Sequence, residues 1–499
     1  MVKSLVFGYI NTNFIDGSSV FMTNLCNVLS KNIESNIDLL LAVPIKRNTI
    51  LSDIERVPNI NIIDPFSNEN LKKFNLLLRE QLTIEESAKL IIHYEKLNEY
   101  DHIFIRSLDV TKKLLELAPE LINKTYSYIT GITSSSQVLV RDEYKIFNEI
   151  EILKGKFICQ TSEMKEHILR YIDIEESSII EVNPMIPDLP FSYDEIFQIK
   201  DIYSTFVYTG KFAKEWNTIP MIVGFREFAE TYEVELNVAG DQFNKHEEFE
   251  KFKSHAEYLL TSTENVNWYK ALSRGQTLNL ISNSDVGISW RSHDLDDSLE
   301  LSTKLLEYCS LGKPPILNKT KMHVKIFGED YPYYCNDMSS YIETLKDIIK
   351  YPEIYERNSQ FVFDIAQEYT FTNIAKKLYR KLGYSDIFIE SINLRKKLSF
   401  FEEYKLPSNK SFNLTNSINI SDELSKTREY AKEANEKYKK AMKQLTETKK
   451  FAEISNIKYK ETMEKHKKSV SDYNHMKNEK EKLEKELKEI KKHLPKTQE

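Results

Sequence analysis

The chain is 499 residues long, which at roughly 100–200 residues per domain calls for two or three globular units. Its formal net charge of -7 gives no global basic excess, so nucleic acid is not an expected partner, and an apolar share of 41% can build real cores. No 18-residue apolar stretch and no signal-peptide pattern occur, and none of the four cysteines lies in a C-x-x-C pair, so a reducing, cytoplasmic setting is expected.

From the first residues, short apolar runs alternate with helical periodicity. Strands are expected at 4–10, 37–43, 101–106, 125–130 and 156–160, with helices between them at 18–31, 82–98 and 161–171. The runs are nearly continuous rather than alternating, as in strands buried on both faces of a parallel sheet. Cys26, Cys159 and Cys309 fall in these or similar apolar contexts and read as small buried hydrophobes; the sequons at Asn123, Asn413 and Asn419 read as chance. Pro184, Pro187 and Pro190 then interrupt regular structure and mark a linker over 184–200. A second βα series follows, with strands expected at 203–210, 234–240, 285–290 and 313–317 and closing helices within 337–384. The expected fold is α/β: two Rossmann-like domains, 1–183 and 201–385, facing a cleft.

Residues 386–420 lose periodicity and read as a tether. From Leu424 to Leu494 a 3,4 spacing runs without a skip through a Lys/Glu-rich sequence, strongest at Leu483, Leu487, Ile490 and Leu494. A coiled coil over 421–494, joining chains into a homo-oligomer, is the expectation. The plain alternative is a single charged helix held by i,i+4 pairs.

Three loops carry candidate chemistry. Asp16-Gly17-Ser18-Ser19 lies between the first strand and its helix. Gly17 allows close backbone approach, and Ser18 with its neighbour can cap the helix, leaving amides for an anion; an ordinary turn explains the same residues. Gly210 ends a strand in the second series and is followed by Lys211 and Lys214, where a phosphate would meet the sheet's carboxyl edge; solvated surface lysines are the alternative. The richest stretch is "DVGISWRSHDLDDSLELSTKLLEY". With a helix starting near Ser302, Thr303, Glu307 and Ser310 share a face while Leu305, Leu306 and Cys309 turn to the core. Glu307 then suits ribose hydroxyls, and the helix amides with Lys304 or Arg291 suit a pyrophosphate. Asp294 and Asp296 form a D-x-D pair that could hold a divalent cation, but in this acidic loop they read better as solvated.

Together these residues resemble the retaining GT-B glycosyltransferases of family 4, over about residues 1–385. The likeness is greatest in "SDVGISWRSHDLDDSLELSTKLLEYCSLGKPPIL" and is supported by "YTGKF". The resemblance implies transfer of a sugar from a nucleotide diphosphosugar to an acceptor hydroxyl with retention, in surface polysaccharide or glycoconjugate synthesis. It implies no metal or other cofactor, a glycan, lipid-linked or protein acceptor, and contact with the inner face of a membrane as one option. It places Glu307 on the nucleotide ribose, Lys211 on the diphosphate where the family usually has Arg, and Gly17-Ser18 near the donor phosphate. Catalysis would fall to Lys211, Arg291 and Glu300, with Gly210, Lys214, Ser302, Thr303 and Lys304 completing the donor site. Two family features differ: Glu300 leaves E-x6-E instead of E-x7-E, and Thr130-Gly131 stands where many relatives have a histidine. A nucleotide-sugar epimerase of the same fold and a catalytically lapsed scaffold working through its coiled coil are the competing functions.

Overall fold

The computed structural model describes residues 1–13, 16–46, 50–131, 141–244 and 249–384, with a few helical residues between 465 and 485. The tether and nearly all of the expected coiled coil lie outside the described residues. Seven parallel strands make the first sheet: β1 Val2–Gly8, β2 Ser35–Leu40, β3 Ile60–Ile63, β4 His102–Arg106, β5 Thr125–Tyr128, β6 Lys156–Cys159 and β7 Ile179–Glu181, in the order β3-β2-β1-β4-β5-β6-β7. Five more make the second: β8 Thr205–Thr209, β9 Glu235–Ala239, β10 Val266–Trp268, β11 Val286–Ser289 and β12 Pro315–Leu317, in the order β10-β9-β8-β11-β12.

Helices α1 Gly17–Ser30, α2 Asn68–Phe74, α3 Ile84–Asn98, α4 Leu108–Leu117, α5 Arg141–Ile152 and α6 Ser162–Tyr171 belong with the first sheet. After a single helical turn, α7 Tyr193–Ile196, come α8 Thr218–Ala229, α9 Phe249–Ser262, α10 Arg274–Ser282, α11 Thr303–Ser310, α12 Lys321–Phe327, α13 Met338–Lys350, α14 Pro352–Gln367 and α15 Phe371–Lys381. No helix among the described residues is long and apolar enough to cross a membrane.

Both sheets are doubly wound. β1 puts Leu5 and Phe7 into one core and Val6 into the core on the opposite face, which is why its sequence reads as an unbroken apolar run. All four cysteines are buried and free. In each sheet the chain reverses its winding at one point, between β1 and β4 in the first and between β8 and β11 in the second. Ligands in open α/β sheets bind at the carboxyl ends of the strands flanking such points.

The expected helices closing the second domain are present as α13, α14 and α15, but the last of these does not stay there. Phe371, Ile374, Ala375, Leu378 and Tyr379 of α15 pack into the first domain's core with Val2, Val6, Leu25 and Leu29. The Tyr379 hydroxyl donates to the Leu29 carbonyl at 2.6 Å, and Asp188 of the linker joins the Lys31 ammonium at 2.7 Å and the Thr372 amide at 3.0 Å. A helix carries an apolar stripe wherever it lands, so its sequence gives the stripe and not the sheet beneath it.

Candidate functional site

The carboxyl ends of β1, β4, β8 and β11 face one another across a cavity of about 470 Å³. Of the residues singled out in the sequence, Gly17, Ser18, Gly210, Lys211, Arg291, Glu300, Ser302, Thr303, Lys304 and Glu307 line it. Lys214 does not; its side chain is exposed, and Trp216 reaches the cavity two residues further on.

Among the described residues, two cations of the second domain stand there without carboxylate partners. Arg291 follows β11 and is only 5% exposed. Its backbone is clamped by Asn318, which accepts from the Arg291 amide at 2.9 Å and donates to its carbonyl at 2.8 Å. Its guanidinium makes no hydrogen bond or ion pair among the described residues, and Nε is buried with no partner. Burial therefore pulls its pKa below the ordinary arginine value, only partly opposed by the more distant Asp296. Lys304 sits near the amino end of α11 with Nζ 4.3 Å from the centre of the Tyr208 ring and 5.0 Å from that of Trp216. Desolvation, and then repulsion by Arg291, draw its pKa down to about 7. A pair of mutually repelling, dehydrated cations is costly unless an anion completes it. Lys211 adds a third cation at the end of the β8 loop.

Tight backbone contacts seat these groups. Tyr308 of α11 lies over Gly287 of β11, where a Cβ would come 2.3 Å from the ring. Its hydroxyl accepts from the Thr209 amide at 2.9 Å, so one side chain sets α11 against both β11 and β8. At the next strand end Gly240 has φ +151, and a Cβ there would stand 1.9 Å from the Gly210 carbonyl. The Ser302 side chain leaves the amides at the start of α11 uncapped.

Glu307 lies one turn into α11, buried, and meets a residue that the sequence reading did not single out. Arg274, at the start of α10, donates to Glu307 Oε1 at 2.9 Å and also to the side-chain oxygen of Asn24 on α1. Its guanidinium rests 5.9 Å from the centre of the Phe371 ring. Asp53 of the first domain feels both Arg274 and Glu307, and burial raises its pKa. Two signals for this cluster were present in the sequence. Arg274 puts a cation in the first turn of a helix, against the macrodipole, and Asn24 puts an amide inside an apolar helix face. Neither motif has a set spacing to Glu307, so contact across 33 residues and between domains could not be read.

On the first-domain wall, the helix start at Gly17 differs from expectation. The cap is Asp16, whose carboxylate accepts from the Ser18 and Ser19 amides at 2.9 and 2.8 Å. Those amides are therefore satisfied, and a carboxylate occupies the place foreseen for an anion. Other contacts draw the walls together. Glu300 Oε1 accepts from the Gly131 amide at 2.8 Å, and Thr161 Oγ1 donates to the Leu299 carbonyl at 2.7 Å. Gly131 belongs to the Thr130-Gly131 pair noted in the sequence where a histidine is missing. The D-x-D carboxylates are engaged by their own loop and by Asn318 after β12: Asp294 accepts from the Ser292 hydroxyl at 2.9 Å, and Asp296 accepts from Asn318 Nδ2 at 2.9 Å and bonds His293 Nδ1 at 2.6 Å.

No family model and no curated protein matches this sequence. Solved structures do match the fold. A sucrose-phosphate synthase from Thermosynechococcus elongatus aligns over 77% of this chain and 100% of its own, with a TM-score of 0.56 and 11% identity. HepE from Anabaena, solved with UDP and glucose, aligns over 77% and 100%, with a TM-score of 0.54 and 11% identity. A variant of TarM from Staphylococcus aureus, solved with fondaparinux, alpha-GlcNAc-glycerol and UDP, aligns over the same shares, with a TM-score of 0.57 and 8% identity. These neighbours are glycosyltransferases of GT-B architecture, and the chain shares that architecture: two parallel-sheet α/β domains about a cleft.

Proposed function

We propose that this chain is a glycosyltransferase that moves a sugar from a nucleotide diphosphosugar to an acceptor hydroxyl, with retention and without a divalent metal, in the synthesis of a surface polysaccharide or glycoconjugate. The observation that carries the proposal is Arg291: buried, unpaired among the described residues and lining the cleft beside Lys304. Nucleotide-sugar ligands in fold neighbours agree with it.

In this reading Glu307 receives the ribose hydroxyls on the oxygen that Arg274 leaves free, while Arg274 holds the carboxylate in place. Arg291, Lys304, Lys211 and the uncapped amides of α11 take the diphosphate. As the bond from the anomeric carbon to the diphosphate oxygen breaks, its electron pair stays on that oxygen, and these fixed positive groups meet the growing charge without reorganising. The acceptor oxygen bonds to the anomeric carbon on the face being vacated and gives its proton to the departing oxygen. Glu300 stands where the sugar would lie, between the α11 residues and Gly131.

A thermal-shift panel of UDP-, GDP- and ADP-sugars on the full chain, run with EDTA, tests the proposal. One donor is expected to raise the melting temperature, since a ligand bound to the native state alone stabilises it. Glu307→Gln should lose that shift, and Arg291→Gln should lower kcat roughly 100-fold or more. Uptake and turnover that survive both substitutions would reject it.

A further inference from the structure

Three cations of the second domain suffice for a diphosphate, yet a fourth cation without a carboxylate partner among the described residues lines the opposite wall. Arg106 is the last residue of β4 and lines the cavity from the first domain. Its guanidinium carbon lies 5.8 Å from the centre of the Tyr128 ring, which is itself stacked on Phe21 at 4.1 Å. The ring contact leaves the guanidinium donors unengaged. Among the described residues the Arg106 guanidinium donates no hydrogen bond, no carboxylate oxygen lies within 4.0 Å of its nitrogens, and its Nε is buried with no partner. The nearby carboxylate of Glu300 is held by the Gly131 amide. A half-buried guanidinium in a rigid setting, with its fork unoccupied, suits a planar or tetrahedral oxyanion held by two parallel bonds.

We infer that Arg106 binds an anionic group, phosphate or carboxylate, carried by the acceptor, so that the acceptor is a charged sugar or glycan rather than a neutral one. This rests on the proposed transferase reading for the word acceptor, though the anion site itself does not. Arg106 stands at the winding reversal of the first sheet, as Arg291 does at that of the second, so each domain offers one arginine to its own ligand.

Calorimetric titration of the full chain tests this, with UDP present and with glucose 6-phosphate, glucuronate and glucose as probes. The wild-type protein should bind at least one anionic sugar about 10-fold or more tightly than glucose. Arg106→Gln should remove that preference while changing UDP affinity less than about twofold, and Arg106→Lys should keep part of it. Whether the 6-phosphate or the carboxylate binds more tightly identifies the anion. The inference is overturned by an absent preference in the wild type, by a preference that survives Arg106→Gln, or by an equal loss of UDP affinity, which would move Arg106 to the donor. Should UDP fail to bind, the transferase reading is what suffers. The same titrations on a Lys211→Gln/Arg291→Gln background, with and without Arg106→Gln, still decide the anion site.

Discussion

Lys304 is the residue whose charge depends most on what occupies the cleft. Its folded pKa of about 7 lies below the ordinary 10.5, so between these values the unfolded chain binds the extra proton and the residue's contribution to stability rises with pH. A diphosphate reverses that environment by favouring the ammonium. Above about pH 7 donor binding should therefore take up a proton, and affinity should fall with pH, by at most about tenfold per unit. Calorimetry in buffers of different ionisation heat reads the proton directly; Lys304→Met should flatten the slope, and a slope unchanged by it would exclude this residue. Glu307 and Arg274 permit a second prediction. Removing one member of a buried pair strands the other, so Arg274→Met should cost roughly 3–5 kcal/mol. Adding Glu307→Gln should restore much of the stability and none of the donor affinity, a separation that denaturation and calorimetry would show together. Glu307, Arg291 and Lys304 were legible in the sequence because they share one strand–loop–helix block, where spacing along the chain is spacing in space. Arg274, Asn24 and Arg106 were not, because each meets the site across a fold contact that no local spacing encodes.

At the scale of elements, the site rests on the seat of α11. Its glutamate and lysine reach the cleft because Tyr308 lies on a strand residue that has no side chain. Gly287→Ala would drive a methyl group into that ring, and since the ring is pinned by the Thr209 amide, α11 must move. Overpacking of this kind costs about 1–3 kcal/mol, and here it should also weaken donor binding about 10-fold or more, because small misplacements of positioned groups are expensive. Tyr308→Phe keeps the packing and loses one hydrogen bond, so it should be milder in both respects. A Gly287→Ala protein with normal nucleotide affinity would show that α11 is not held this way. The central strands were readable because a strand buried on both faces leaves an unbroken apolar run. The ends of β4 and β12 fall where they were expected, while the others were read one to three residues late; after β2, for example, Leu41, Ala42 and Val43 stay buried once the strand has left the ladder. β3, β7 and β10 escaped notice: each has only three or four residues, and unlike the equally short β5, β6, β11 and β12 none of them was singled out as an apolar run.

For the whole molecule, the two sheets are joined by more than a linker. Arg274 to Asn24, Thr161 to Leu299, Gly131 to Glu300 and Lys325 to Glu163 each cross the cleft, and α15 returns the chain to the first domain. Nothing in the proposed chemistry calls on residues beyond Tyr384, the last described residue of this unit. The sequence past 421 has a different logic. Its seam positions are apolar at Met476, Leu483, Leu487, Ile490 and Leu494, and in a single chain Met476 and Leu483 are 63% and 64% exposed. Surface around them is Lys/Glu-rich, with Lys480 and Glu484 at i,i+4 spacing, which keeps a lone helix soluble but buries nothing. Each leucine fully covered by a partner helix would contribute about 1.5–3 kcal/mol, so in any association the heptads from Met476 to Leu494 would supply the main drive and the small and polar middle would add little. We therefore propose that chains associate through 421–494. Light scattering should give a multiple of the chain mass for the full protein and a single mass for one ending before residue 421. Leu483→Lys with Leu487→Lys should reproduce the single mass while leaving donor binding intact; equal masses for all three proteins would reject association through this segment.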